Sequence, residues 1–224
     1  MKKVFLMFLL PLCPGVIAVL LWTGTAHAKK IAGPGDGYAN PDDFGVSGHG
    51  PALSYTDNGD GTFTDNNTKL MWEIKDQSGG VHDVDNLYAW SATGEAADGT
   101  LFTDFLDTLN NSCRDDETVA CVSKADCTVA NGGPGGRCGF AGFQDWCIPN
   151  VKRLQSIVDY TMINPASSVP GATQSSFYWS STTNALYSES AWGVEFGNEF
   201  GSGGGVFNGN KVGEGHARAV RPCS

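Results

Sequence analysis

Six cysteines crowd the second half of the sequence: Cys113, Cys121, Cys127, Cys138, Cys147 and Cys223. Thiols crosslink, bind soft metals or act as nucleophiles. Zinc sites use close pairs such as C-x-x-C. Here the first four are separated by 7, 5 and 10 intervening residues, and the segment between them lacks His. The pattern therefore predicts disulfides. Six cysteines allow 15 pairings, and spacing alone does not choose among them. Other chemistry is sparse. Ser180 and Ser181 sit in W-S-S, without the G-x-S-x-G context of a nucleophile elbow. His49, His82 and His216 have no partner that the sequence identifies. The many Asp and Glu residues include no pair that can be set at glycosidase spacing. No catalytic residue is predicted.

Two other residue groups point to ligands. Asp57-Asn58-Gly59-Asp60-Gly61, with Asp65 nearby, gathers the oxygens that calcium prefers. The full EF-hand loop is absent, and Asn-Gly and Asp-Gly are ordinary turn chemistry. A turn is the expectation, and calcium at Asp57, Asp60 and Asp65 the alternative; no other cofactor is expected. Between Trp179 and Arg218 lie Ser180, Ser181, Asn184, Tyr187, Glu189, Asn198, Glu199, Asn208, Asn210 and Lys211, interspersed with Gly. Aromatic residues amid Asn and Ser make adaptable contact surfaces. These ten residues are the predicted ligand-binding set, with a plain solvated loop as the bland alternative. Trp179 and Trp192 are assigned to the core.

The elements that must carry these groups follow from pattern. Lys2 and Lys3 precede an apolar run, Val4 to Trp22, and then Ala26-His27-Ala28. This reads as a signal peptide, 1–28, cut after Ala28. An uncleaved anchor is weakened by Pro11, Pro14 and Gly15, and a lipoprotein at Cys13 by the large Leu12 before it. The whole chain has 224 residues, 14 Lys+Arg and 24 Asp+Glu. Cleavage would leave 196 residues with 12 basic and 24 acidic side chains. So acidic a chain is unsuited to nucleic acid or anionic lipid. With 41% hydrophobic residues and 30 Gly, a compact, loop-rich exported protein is expected.

Residues 29–53 are rich in Gly, Pro and Asp and read as a flexible leader. From Ser54, apolar runs broken by DNGDGT and DNNTK predict hairpins. Phe102, Phe105, Leu106 and Leu109 recur at helical spacing, so FTDFLDTLN is predicted helical. Residues 111–139, with four cysteines and GGPGG, read as a stapled insertion. Asn150 is a plausible N-cap for a second helix carrying Val151, Leu154, Ile157 and Val158. From Phe177 the chain reads as strands; alternation of Trp192, Val194 and Phe196 with Gly193 and Glu195 predicts a half-buried one. HARAVRP is expected to form the last strand.

Four pieces occur in order: YTDNGDGTFTDNNTKLMWE, FAGFQDWCIPNVKRLQSIVDY, YWSSTT, and AWGVEF with ARAVRP. Together they resemble the Lcl C-terminal domain family over roughly residues 54–223. The resemblance implies an α+β, C-type-lectin-like fold for 54–224, with two helices packed on small antiparallel sheets. It implies a secreted, periplasmic or surface-attached adhesin-type module that binds an extracellular glycan or protein, with no membrane contact once mature. Formylglycine-generating enzymes share that fold and are the catalytic alternative; a structural envelope component is another, and a receptor diversified at its Asn positions a further one. The calcium sugar-binding motifs of ordinary C-type lectins are absent. Sulfated polysaccharide, a ligand within the family, fits poorly here, since Lys211, Arg218 and Arg221 are the only bases of that region. The family pattern D-W-R-L-P is Asp145-Trp146-Cys147-Ile148-Pro149 in this chain, and its last strand gains Cys223. Two departures of one kind imply a Cys147–Cys223 bridge, leaving the other four cysteines to pair among themselves.

Overall fold

The structure, a computed structural model, describes residues 52–127, 136–198 and 203–223. The signal-peptide expectation, nearly all of the leader, and Glu199 lie outside the described residues.

The first hairpin follows its turn chemistry. β1 (Tyr55–Asp57) pairs antiparallel with β2 (Thr62–Asp65). Gly59 and Gly61 adopt φ of 75° and 85°, conformations that cost glycine least. Asp57 Oδ1 accepts the Gly59 amide at 2.8 Å, and Asp60 Oδ1 accepts the Thr62 amide and hydroxyl. Asp65 accepts the Asn67 amide and the Thr68 hydroxyl. All three aspartates thus bond to their own turns. β3 (Met71–Glu73) continues the sheet, and β11 (Val220–Arg221) closes it, in the order β1-β2-β3-β11. The two ends of the domain therefore lie in one sheet, with Val220 opposite Trp72. The expected longer last strand is shorter than predicted. Residues 216–220 are nonetheless all buried, Arg218 included.

A second pairing joins β4 (Tyr88–Ala89) to β10 (Glu214–Gly215). The predicted first helix forms as a π-helical turn, Leu101–Leu106, running into α1 (Asp107–Asn111). Its buried stripe is Leu101, Phe105 and Leu109, all at 0% exposure. Phe102 and Leu106, assigned to the same face by a 3.6 period, are only partly buried. The wider π turn explains the shift, because its i→i+5 bonds rotate successive side chains less far. β5 (Ser112–Cys113) and β6 (Asp116–Ala120) then form a small hairpin in the insertion. Cys113 is bonded to Cys127 and Cys121 to Cys138. The four buried cysteines form an apolar cluster of their own. Crosslinks here replace the core that the segment lacks.

Asn150 caps α2 (Val151–Gln155), its side chain accepting the Arg153 amide at 3.0 Å. Leu154, Ile157 and Val158 pack under β8, with Val194 and Phe196 in the same cluster. β7 (Phe177–Thr183), β8 (Ser190–Glu195) and β9 (Gly205–Asn210) form a three-stranded antiparallel sheet with β8 central. The half-buried pattern expected for β8 is not found. Ala191, Gly193, Val194 and Glu195 are all buried, and Trp192, assigned to the core, is the partly exposed member. One face of β8 meets the α2 core, and aromatic rings from β7 cover the other. The architecture is thus α+β: small antiparallel sheets, two short helices and three disulfides among the described residues.

Candidate ligand-binding site

Register builds a cleft on the outer face of the β7–β8–β9 sheet. Phe177 lies opposite Glu195 and Trp179 opposite Gly193; on β9, Gly193 faces Phe207 and Ala191 faces Gly209. Side chains two apart on a strand share a face. Phe177, Trp179, Glu195 and Phe207 therefore belong to one surface. Three glycines give the rings room. A Cβ at Gly193 would stand 2.3 Å from Phe177 Cζ, at Gly209 2.8 Å from Trp179 Cη2, and at Gly215 2.9 Å from Trp179 Nε1. Trp179 is held in place, with its Nε1 donating to the Tyr88 carbonyl at 2.9 Å. The result is a cleft of about 310 Å³ with an aromatic floor. Asn208, Asn210, Gly213 and Glu214 supply its rim, and Glu195 is a buried part of its wall.

Because Trp179 cannot swing away, Gly209→Ala must strain either the ring or β9. We expect it to cost about 1–3 kcal/mol by overpacking, read as a lower urea midpoint. An unchanged midpoint would show that the indole has somewhere else to go.

Of the ten residues expected at the site, Asn208 and Asn210 line the cleft and are exposed. Tyr187 and Glu189 are exposed on the β7–β8 connection, which sits beside the β9–β10 turn through the Lys211 amide bond to the Glu189 carbonyl, 2.8 Å. Ser181 and Asn198 are exposed but do not line the cleft. Three are buried and engaged. Ser180 donates to the Trp192 carbonyl at 2.6 Å. Asn184 Oδ1 accepts the Leu186 amide. Lys211 reaches the Glu95 carbonyl at 2.8 Å and lies 3.9 Å over the Trp90 ring. Their polar atoms satisfy the protein's own backbone, as buried polar groups generally do. Phe177, Phe207, Glu195 and Glu214 were missed. The signal available was the glycine lane, Gly193, Gly209 and Gly215, against the aromatics of β7.

A second polar cluster lies elsewhere. Glu73, fully buried, receives Lys75 Nζ at 2.8 Å, His82 Nδ1 at 2.7 Å and the Ala219 amide at 3.0 Å. The far ring nitrogen of His82 meets Glu117 of the insertion at 2.6 Å. Burial alone would raise the Glu73 pKa, but Lys75 and His82 outweigh it and hold the carboxyl at about 2. Burial would likewise lower that of His82, yet its bonds to Glu117 and Glu73 raise it to about 9. The imidazolium is thus a charged rivet between the body and the stapled insertion. Arg218, also buried, donates to the carbonyls of Glu73 and Ala172. Among the described residues, one group of sulfurs has metal-like proximity, Cys113, Cys121 and Cys127 within 4.8 Å; all three are in disulfides.

The sheet, its aromatic cleft and the paired Cys147 and Cys223 define a disulfide-bearing α+β domain with a ligand-sized recess. Residues 61–221 match the Lcl C-terminal domain model. The chain therefore belongs to that family. No curated protein and no solved structure matches it.

Proposed function

We propose that this chain is an exported, non-catalytic recognition module with a C-type-lectin-like fold, binding an extracellular glycan or protein through the β7–β9 cleft. The observation that carries the reading is the cleft: an aromatic floor with a few polar groups at its rim, the usual make-up of a ligand site. Three disulfides support export to an oxidising compartment. Among the described residues no helix is long and apolar enough to cross a membrane. The Cys147–Cys223 bond supports the non-catalytic reading, because an enzyme of the formylglycine-generating type needs a reactive cysteine pair.

The test is a binding screen of the secreted protein against glycan arrays and surface proteins, with Phe207→Ala alongside. A specific ligand should bind the native chain and lose about tenfold or more with the variant, as hot-spot aromatics do. Ligands indifferent to Phe207 would move the site off the cleft. A free Cys147 or Cys223 on thiol counting would reopen the enzyme.

A further inference from the structure

The cleft carries a chemical bias. Among the described residues its lining holds no base; Glu214 is its exposed carboxylate, while Glu195 is buried in the wall with its Oε1 accepting the Gly197 amide at 2.8 Å. The nearby bases point elsewhere: Lys211 to Trp90 and the Glu95 carbonyl, Arg218 to its carbonyl cradle. His216 Nδ1–H donates to the Asn86 carbonyl at 3.1 Å, and burial lowers its pKa, favouring the neutral ring. The whole chain has net charge −10. A recess that is aromatic beneath and negative at its edge attracts cations twice, by charge and by the ring faces.

Resting on the recognition reading above, we infer that the cleft takes an arginine side chain presented by a protein partner. The arginine stem lies on Phe177 and Phe207, and its guanidinium meets the exposed carboxylate of Glu214. Arginine suits this surface better than lysine because its planar head stacks on rings while still donating to carboxylates. A protein source is favoured by the neighbouring surface. Leu186, Tyr187 and Val212 are 85%, 56% and 54% exposed. They sit on the two connections that meet beside the cleft, where Glu189 bonds Lys211. Exposed apolar side chains beside the cleft extend the kind of apolar surface that protein interfaces cover. Anionic polysaccharide would meet repulsion there.

The test uses the mature chain, residues 29–224, labelled with nitrogen-15. The probes are the blocked tripeptide Gly-Arg-Gly, its neutral citrulline counterpart, maltohexaose and a heparin hexasaccharide. The arginine peptide should shift the amides of residues 208–210, 213 and 214. Citrulline should bind about tenfold more weakly, since it keeps the shape and loses the charge. Glu214→Gln, an exposed change that leaves the fold intact, should weaken the arginine peptide about threefold and flatten its salt dependence. Equal binding of the citrulline peptide overturns the inference. So does a saccharide that shifts these amides when the arginine peptide does not, which keeps the cleft as a recognition site. If no probe moves these amides, the cleft reading falls with it.

Discussion

Glu73→Ala is expected to destabilise the domain by about 3–5 kcal/mol, the scale of removing one partner from a buried charge cluster. Lys75 and His82 would lose their shared carboxylate and the Ala219 amide its acceptor. Lys75 has little else: it lies 4.3 Å over the Phe105 ring and reaches the Val81 carbonyl at 3.3 Å. Urea unfolding measures the cost. A loss below about 1 kcal/mol would mean that water enters and solvates the orphaned cations. The same cluster sets a pH window. Glu73 is held at about 2 against an ordinary 4.5. Its contribution is present above 4.5 and fades as pH falls towards 2. His82 is held at about 9 against 6.5. Its contribution is full below 6.5 and fades as pH rises through 9. Stability from the cluster therefore peaks between these limits, at about pH 4.5 to 6.5. His82→Gln should remove the alkaline limb and leave the acid limb. A variant that retains the alkaline decline would assign it to another group.

Elements whose signals are local were legible in the sequence. The DNGDG turn, the Asn150 cap and the helical stretch from Phe102 each act within a few residues, and each formed. The π turn escaped notice because apolar spacing alone does not separate a stripe at i, i+4, i+8 from one at i, i+3, i+4, i+7. Long-range assembly was not legible. Glu73, His82 and Glu117 are brought together only when β3, a loop and the insertion pack. Phe177, Glu195 and Phe207 share a face only through the register of three strands. Polar type also misled. Ser180, Asn184 and Lys211 looked like surface groups, yet each is buried against a backbone partner, which lies 2 residues away for Asn184 but 12 for Ser180 and 116 for Lys211. A polar residue in a Gly-rich stretch thus tells less about exposure than its nearest backbone donors and acceptors do.

Removing the Cys147–Cys223 bond is expected to cost about 3–4 kcal/mol, most of it through the unfolded chain. The two cysteines are 76 residues apart, and long closed loops lose the most entropy when bridged. The variant should be Cys147→Ala with Cys223→Ala, so that no lone thiol remains. The folded ends would stay close without the bond. Cys147 and Val220 exchange both backbone hydrogen bonds, at 3.0 and 2.9 Å. Arg221 makes a fork to Asp145, at 2.7 and 3.2 Å, and lies 3.6 Å over Phe143. Because those contacts survive, native-state structure should change little while the urea midpoint falls. Hydrogen exchange localises the effect: β11 amides should open sooner, whereas β7–β9 amides should open only with global unfolding. A loss under about 1 kcal/mol would instead show that the Arg221–Asp145 fork and the β3–β11 pairing already hold the ends together in the unfolded ensemble. The bridge matters to the cleft as well. β11 follows directly on the buried 216–219 run, and the His216 carbonyl accepts the Trp179 amide at 2.9 Å. Fraying that begins at Cys223 therefore has a short path, through seven residues of chain, to the aromatic floor.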